Sequence, residues 1–253
     1  MKTDKIKYFL MFMGYPRSGH TLVASMLNAH PSVICSNQSF IIQDADKKNT
    51  DGLLSEIKMG SSDGHWKPEV KIAKAPKTGI YVVGDKTGHR TVEYLIDHPE
   101  QLGHLKSIVP WPLKWIHVVR NPFDCLTTWT KKNYDNKKAK NVEEPYSING
   151  EFEKAFEKFQ ALNNQILELK KTEDVLTLVH EKVVVNKDNT MKQLCNFLGI
   201  EKDVDWRNRV VKTLWKKPRI TRRNITWDRH MRNKLMNHSI KRYPWLKGYY
   251  FGG

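Results

Sequence analysis

Residues 14–22, GYPRSGHTL, carry side chains suited to holding an anion. They lie between an apolar run that predicts a strand and a run with helical spacing. Backbone N–H groups and the positive end of a helix would therefore converge on this turn. Arg17 adds a fixed positive charge, Ser18 and Thr21 add hydroxyls, and Gly19 allows close approach of a ligand. The pattern GxxxxGK[ST] is absent, which disfavours a nucleoside-triphosphate hydrolase.

A second group of residues suited to binding an anion follows the apolar run WIHVV at residues 115–119. Arg120 comes directly after that run, and Pro122 suits the first turn of a helix. Thr128 lies eight residues after Arg120, two turns into the predicted helix. An arginine with a nearby hydroxyl is suited to binding a phosphate monoester. We therefore predict two anion sites, one after each strand.

The elements that must position these groups alternate along the chain. Apolar runs predict strands, and periodic apolar residues predict helices. We predict strands at 5–14, 79–84, 114–119 and 175–180. We predict helices at 20–29, from Thr91, from Pro122 to about residue 132, at 150–171 and at 187–198. Polar composition predicts surface loops at 44–69 and 131–140.

This alternation predicts an α/β fold in one domain spanning 1–253, with a mainly parallel central sheet flanked by helices. Because the carboxyl ends of parallel strands share one edge, Arg17, Asp85 and Arg120 are expected to meet there.

Bulk properties narrow the function classes. The 43 Lys and Arg against 27 Asp and Glu give a net charge of +16, which attracts polyanions such as nucleic acid, acidic glycans or a nucleotide. No apolar run reaches the roughly 18 residues of a membrane span. Three distant cysteines without CxxC spacing predict a reducing, cytoplasmic setting. No metal-ligand cluster is visible, so we predict no metal. No motif indicates the oligomeric state.

The two anion motifs together resemble the signatures of sulfotransferases that use 3′-phosphoadenosine 5′-phosphosulfate (PAPS). Residues 16–21, PRSGHT, resemble the family's PxSGxT loop for the 5′-phosphosulfate. Residues 120–124, RNPFD, resemble its RxPxD segment, with Thr128 in place of a serine. Weaker similarities are the VGDKT run, the His180-Glu181 pair, the LCNFLGI run and the Arg222-Arg223-Asn224 segment followed by Trp227. The chain is more similar to divergent bacterial, phage or Golgi-like members than to animal cytosolic ones.

The resemblance implies a P-loop-like sulfotransferase fold and a PAPS-dependent enzyme (EC 2.8.2 type). Such an enzyme moves a sulfuryl group to a hydroxyl or amine by in-line displacement and releases 3′-phosphoadenosine 5′-phosphate (PAP). Arg17 would stabilise the leaving oxygen. The expected cofactor contacts come from both motifs and from the later segments: Arg17, Ser18, Gly19, His20, Thr21, Leu22, Arg120, Thr128, His180, Arg222 and Arg223.

A base for the acceptor follows from the same comparison. His89 is the first candidate, because Lys86-Thr87-Gly88-His89 is similar to the family's Lys-Thr-His segment with one extra residue. A histidine with a pKa near 6.5 suits this role. Asp85 is the main rival, and His20 is a third candidate expected to face the phosphosulfate.

Some positions depart from the family pattern. Leu22 stands where cytosolic members carry a tryptophan against adenine, His180 replaces a common tyrosine, and Asn224 replaces a glycine. The sequence does not identify the acceptor, which is expected to be a small molecule or a glycan. We expect the segments 36–70 and 131–148 to shape its pocket.

Two other functions compete with this hypothesis. A P-loop-like small-molecule kinase would share the phosphate loop, but it should carry GxxxxGK[ST] and a magnesium-binding carboxylate. A basic nucleic-acid-binding module is suggested by the charge and by the interleaved Trp and Arg of residues 206–232. That module leaves the paired motifs unexplained, so nucleic acid is not the expected partner.

Overall fold

The computed structural model describes residues 5–62, 72, 77, 79–139 and 147–252. Within this part, five strands form one sheet in the order β2-β3-β1-β4-β5. The strands are β1 (Tyr8–Gly14), β2 (Val33–Ser36), β3 (Val82–Asp85), β4 (Leu113–Val119) and β5 (Val175–Val179). Every pairing between neighbours is parallel, which confirms the predicted parallel sheet.

Helices connect and cover these strands. They are α1 (His20–Asn28), α2 (Thr50–Ser62), α3 (His89–Asp97), α4 (Glu100–Ile108), α5 (Pro122–Ala139), α6 (Ile148–Thr172), α7 (His180–Val185), α8 (Lys187–Leu198), α9 (Val204–Thr213) and α10 (Arg229–Leu235). Short 3₁₀ turns occupy Ile41–Lys47, Arg222–Asn224 and Pro244–Leu246, and a π turn occupies Met236–Ile240. In the described residues, no helix combines the length and apolarity needed to cross a bilayer.

The central strand β1 separates two apolar clusters because its side chains alternate. Phe9 and Met11 face a cluster that includes Phe159 of α6, whereas Leu10 faces one that includes Leu194 of α8. All five side chains from Phe9 to Met13 are fully buried. Each such large apolar side chain contributes roughly 1.5–3 kcal/mol by its burial. The strand that carries the first anion loop is therefore firmly anchored.

The topology brings both predicted anion segments to one crevice. β1 pairs with β4 in a register that sets Gly14 beside Val118, so the strands end together. The chain after β1 leads to β2 in one half of the sheet, and the chain after β4 leads to β5 in the other half. In open parallel sheets, such a divergence leaves a crevice where ligands bind. The loop after β1 and Arg120 after β4 meet in this crevice.

Several predicted elements need correction. The run VICS at residues 33–36 is a strand that the prediction missed. The predicted loop at 44–69 contains part of a 3₁₀ turn and helix α2, while residues 63–69 lie outside the described residues. The helix α2 buries Leu53, Leu54 and Ile57, an apolar stripe too short to stand out in a polar segment.

The lysine-rich segment 131–140 was predicted to be a solvated loop, and this prediction is wrong for the residues described. The helix α5 continues through Ala139. Lys131 pairs with Asp135 one turn later, and an ion pair at this i,i+4 spacing stabilises the helix. Lys137 pairs with the buried Glu151 of α6 and ties the helix to its neighbour. Residues 140–146 lie outside the described residues.

Candidate active site

The loop between β1 and α1 has the backbone of an anion-binding turn. Arg17 has φ +69° and Gly19, the N-cap of α1, has φ +106°. No side chain caps this helix, so its first N–H groups remain available to a ligand. A β-carbon at Gly19 would lie 2.3 Å from Nδ1 of His180. The glycine is therefore needed both for its conformation and for the closeness of His180.

Side chains add positive charge to this loop. The Arg17 side chain is exposed, and the Ser18 side chain is fully buried. The Nζ of Lys86 donates to Oγ1 of Thr21 at 3.3 Å. Lys86 is only 2% exposed, and burial lowers its pKa to about 8. Lys86 lies beside the loop although it was not among the predicted site residues; its place directly after a buried strand is the signal that could have identified it.

The ring of His20 is used within the loop. Its Nε2 donates to the carbonyl oxygen of Met13 at 2.9 Å and lies 3.2 Å from Oγ of Ser18. The ring also fills the space where a β-carbon of Gly88 would stand. Burial lowers the pKa of His20 to about 3, so the ring is neutral. The side chain of His20 therefore supports the loop, and its backbone N–H lies at the start of α1.

The first candidate base, His89, begins helix α3 and is half-buried. Burial lowers its pKa to about 4, and the positive charges of Lys158, Arg90, Lys86 and Arg17 act in the same direction. His89 is consequently unprotonated at neutral pH. An unprotonated imidazole can accept the proton of a hydroxyl group.

The rival candidate, Asp85, is 0% exposed. Its Oδ1 accepts hydrogen bonds from Oγ of Ser36 at 2.7 Å and from the backbone N–H of Ser39 at 3.1 Å. Its Oδ2 accepts from Oγ1 of Thr87. Burial raises the pKa of Asp85, and the hydrogen bonds from Thr87 and Ser36 oppose that rise. The carboxylate thus fastens the chain after β2 and has no surface for an acceptor.

The second predicted anion segment lies against the first. Nη1 of Arg120 donates to the carbonyl oxygen of Arg17 at 3.1 Å, and Nη2 donates to the carbonyl oxygen of Arg219. The buried Nε of Arg120 has no hydrogen-bond partner among the described residues. The Oγ1 of Thr128 lies 2.9 Å from Oγ1 of Thr221. A buried donor without an acceptor costs about 1–3 kcal/mol, so this Nε fits an anionic ligand.

The pair His180-Glu181 completes the crevice between these segments. The Nδ1 of His180 is buried without a partner among the described residues, and burial lowers its pKa to about 4. Glu181 accepts from the backbone N–H of Asn121 at 2.8 Å and from the hydroxyl of Tyr249 at 2.9 Å. His180 therefore offers a polar atom to a ligand, whereas Glu181 orients the second segment.

The two arginines of the 3₁₀ turn have different environments. Arg222 is buried and pairs with Asp124, with Nη2 and Oδ2 2.9 Å apart. It also donates to the carbonyl oxygens of Tyr250 and Phe251. Arg223 is exposed. Of these two predicted cofactor contacts, Arg223 is therefore the more accessible to a ligand.

Leu22 was predicted to lie where an adenine would bind. In the structure its side chain is 4% exposed and belongs to the apolar cluster under α1. Leu22 has little surface to offer a nucleotide. Among the described residues, no group of three or more His, Cys, Asp or Glu side chains is arranged to hold a metal ion.

Comparisons with known proteins agree with this arrangement. The family model described as "Sulfotransferase family" matches residues 10–204, which include both anion segments. The sulfotransferase domain of the Synechococcus PCC 7002 olefin synthase superposes with a TM-score of 0.53 at 15% identity, covering 92% of this chain and 94% of that one. Sulfotransferase STF9 from Mycobacterium avium gives a TM-score of 0.52 at 10% identity, covering 82% and 67%. A search of curated proteins finds no match.

These likenesses confirm the predicted P-loop-like sulfotransferase fold and the family indicated by the two motifs. The matched residues 10–204 cover most of the 253 and contain the loop after β1, Arg120 and Thr128. The chain belongs to the sulfotransferase family.

Proposed function

We propose that the protein transfers a sulfuryl group from PAPS to a hydroxyl or amine of a small molecule or glycan, as one domain without a metal. One observation carries the proposal. Arg120 bridges the two anion segments through Arg17 and keeps a buried Nε without a partner in the described structure. A ligand with phosphates at both ends would satisfy the loop at one end and Arg120 at the other.

When bound, PAPS supplies an electrophilic sulfur and a 5′-phosphate leaving group. In-line transfer would form a bond from the acceptor oxygen to sulfur, break the bond from sulfur to the bridging oxygen and leave that electron pair on the 5′-phosphate. His89 would take the acceptor proton. Arg17 stabilises that charge electrostatically, because an arginine does not release a proton at neutral pH. Replacing Arg17 by Met should reduce kcat by about 10²–10³.

Lys86 has the position to share this role. Its Nζ reaches Thr21 in the first turn of α1, so the ammonium lies beside the loop that would hold the phosphosulfate. An anion bound there favours the charged form of Lys86. Asp85 acts indirectly, by fixing the segment that leads to Phe40.

The 3′-phosphate is assigned to the second segment. Arg120 would donate its Nε, and Thr128 would offer a hydroxyl that lies beside Thr221. Arg223, being exposed, can close over this phosphate, whereas Arg222 remains tied to Asp124.

Calorimetric titration tests the donor assignment. PAP is compared with 5′-AMP, which lacks the 3′-phosphate, and with ATP and a DNA oligomer. We expect tight binding of PAP only. Arg223→Gln should weaken PAP by about 10- to 100-fold, the effect of losing one charged hydrogen bond, and leave 5′-AMP unchanged.

Matched variants separate the site from the general surface charge. Thr128→Val should also weaken PAP without affecting 5′-AMP, whereas Arg229→Gln, an exposed arginine on α10, should change neither. Equal affinity for PAP and 5′-AMP would contradict the 3′-phosphate site. Binding of ATP in place of PAP would favour a kinase. Salt-dependent binding of DNA alone would favour a nucleic-acid module.

A further inference from the structure

A ring-lined and positively charged surface lies beside His89. We call it the acceptor shelf and define it by Phe40, Arg90, Tyr94, Trp129 and Lys158. The guanidinium of Arg90 lies 4.4 Å from the centre of the Phe40 ring. The rings of Phe40 and Tyr94 meet edge to face at 5.6 Å, and Nζ of Lys158 lies 5.6 Å from the Trp129 ring.

The shelf adjoins the loop assigned to the phosphosulfate. The backbone N–H of Phe40 donates to Oγ1 of Thr87 at 3.0 Å, which fixes Phe40 at the end of β3. Gly88, one residue before His89, lies against the ring of His20 behind the anion loop. A molecule on the shelf would therefore have one end beside His89, which lies at the carboxyl edge of the sheet.

The charge of the shelf is positive and incompletely neutralised. Lys158 is paired with Glu93 of α3. Arg90 is exposed, and in the described part of the chain its guanidinium contacts the Phe40 ring and pairs with no carboxylate. Arg17 and Lys86 add two more cations on the side of the anion loop. A neutral acceptor would leave this charge without a counterpart.

The contact with the Phe40 ring restrains the Arg90 guanidinium, whose N–H groups lie in one plane. That geometry suits a planar or tetrahedral oxyanion better than a neutral group. Phe40, Tyr94 and Trp129 are each partly exposed, so they can contact the apolar body of such a molecule. We propose that the acceptor carries a carboxylate, sulfate or phosphate besides its reacting hydroxyl, and that Arg90 binds this group. The inference rests on the proposed function and adds the acceptor's chemical class.

Binding to the protein saturated with PAP tests the inference, because PAP keeps anions out of the donor site. The probes are 4-hydroxybenzoate, 4-hydroxybenzenesulfonate and 4-hydroxyphenyl phosphate against the neutral 4-hydroxybenzamide, together with glucuronate against glucose. Calorimetry or ligand-observed NMR measures each affinity. We expect at least one anion to bind about tenfold or more tightly than its neutral partner. The three aromatic anions distinguish carboxylate, sulfonate and phosphate.

Arg90→Gln should abolish that preference, and Arg229→Gln should leave it intact. In transfer assays with PAPS, Arg90→Gln should raise the KM for the anionic acceptor about tenfold and change kcat little. The same kcat and KM in Arg90→Gln would overturn the assignment of Arg90.

The two proposals fail differently. If PAP binds but the anions bind no better than their neutral partners, the acceptor inference is wrong and the donor site stands. The same conclusion follows if PAP binds but neither the anions nor their neutral partners bind. If PAP itself does not bind, the proposed function is wrong and the inference falls with it.

Discussion

Replacing Asp124 by Asn should destabilise the protein by breaking a buried ion pair. The Asp124 and Arg222 side chains are 2% and 6% exposed. Oδ1 of Asp124 accepts from the backbone N–H groups of Thr221 and Arg222, each at 2.7 Å, and from Nε of Arg222 at 3.2 Å. An asparagine keeps one oxygen for these donors. Its NH₂ group, however, would replace the carboxylate oxygen that faces Nη2 of Arg222.

The expected loss follows from leaving a buried guanidinium without its counter-charge. Removal of one partner from a buried pair costs roughly 3–5 kcal/mol. In a domain of this size each kcal/mol lowers Tm by about 2–4 °C, so Asp124→Asn should melt about 6–20 °C below the parent. Urea unfolding measures the free energy directly. The exposed Arg223→Gln should stay within about 0.5 kcal/mol of the parent.

A second variant isolates the charge effect. The double change Asp124→Asn with Arg222→Gln removes both charges and keeps an oxygen for the backbone N–H groups of Thr221 and Arg222. It should recover part of the lost stability, because no buried guanidinium remains without a counter-charge. A loss below about 1 kcal/mol for Asp124→Asn would refute the reasoning. So would a double variant as unstable as Asp124→Asn itself.

Three further predictions concern the loop and its titratable neighbours. Gly19→Ala should weaken PAP binding more than tenfold, as measured by calorimetry. The new β-carbon would collide with His180, and φ +106° is strained for alanine. Unchanged affinity would contradict the loop geometry. PAP affinity should fall as pH rises through about 8, where Lys86 loses its proton, and Lys86→Met should flatten that profile. The free energy of unfolding should fall as pH drops from 6.5 toward 4. His20, His89 and His180 have folded-state pKa values of about 3, 4 and 4, so in this range the unfolded chain binds protons that the folded chain does not. Urea midpoints measured across that range would show it, and a flat profile would argue against buried neutral histidines.

The two anion segments could be predicted because each is local. A buried strand, a turn and a helix start are written in consecutive residues, and parallel strands bring their ends to one edge. The loop at Gly19 and the arginine at position 120 therefore needed no knowledge of distant contacts. The fold class followed from the same alternation.

What the sequence left open depends on contacts between distant segments. Nothing in the consecutive Arg222 and Arg223 indicates that the first is buried against Asp124 and the second is exposed. Similarly, Asp85 looked free to act as a base until Ser36, Ser39 and Thr87 were seen to use its oxygens. In both cases the partner lies in another part of the chain.

The second anion segment can be completed only late in synthesis, because its partners lie far along the chain. Arg120 reaches the carbonyl oxygen of Arg219, 99 residues later, and Asn121 reaches that of Tyr250, 129 residues later. A nascent chain that has emerged only through α8 holds every strand and the first anion loop, but it lacks these later partners. Contacts this far apart form slowly and late. A nucleotide can therefore stabilise the complete site only after residues through Tyr250 have emerged from the ribosome, so donor binding would not act on folding intermediates that lack Arg219 and Tyr250.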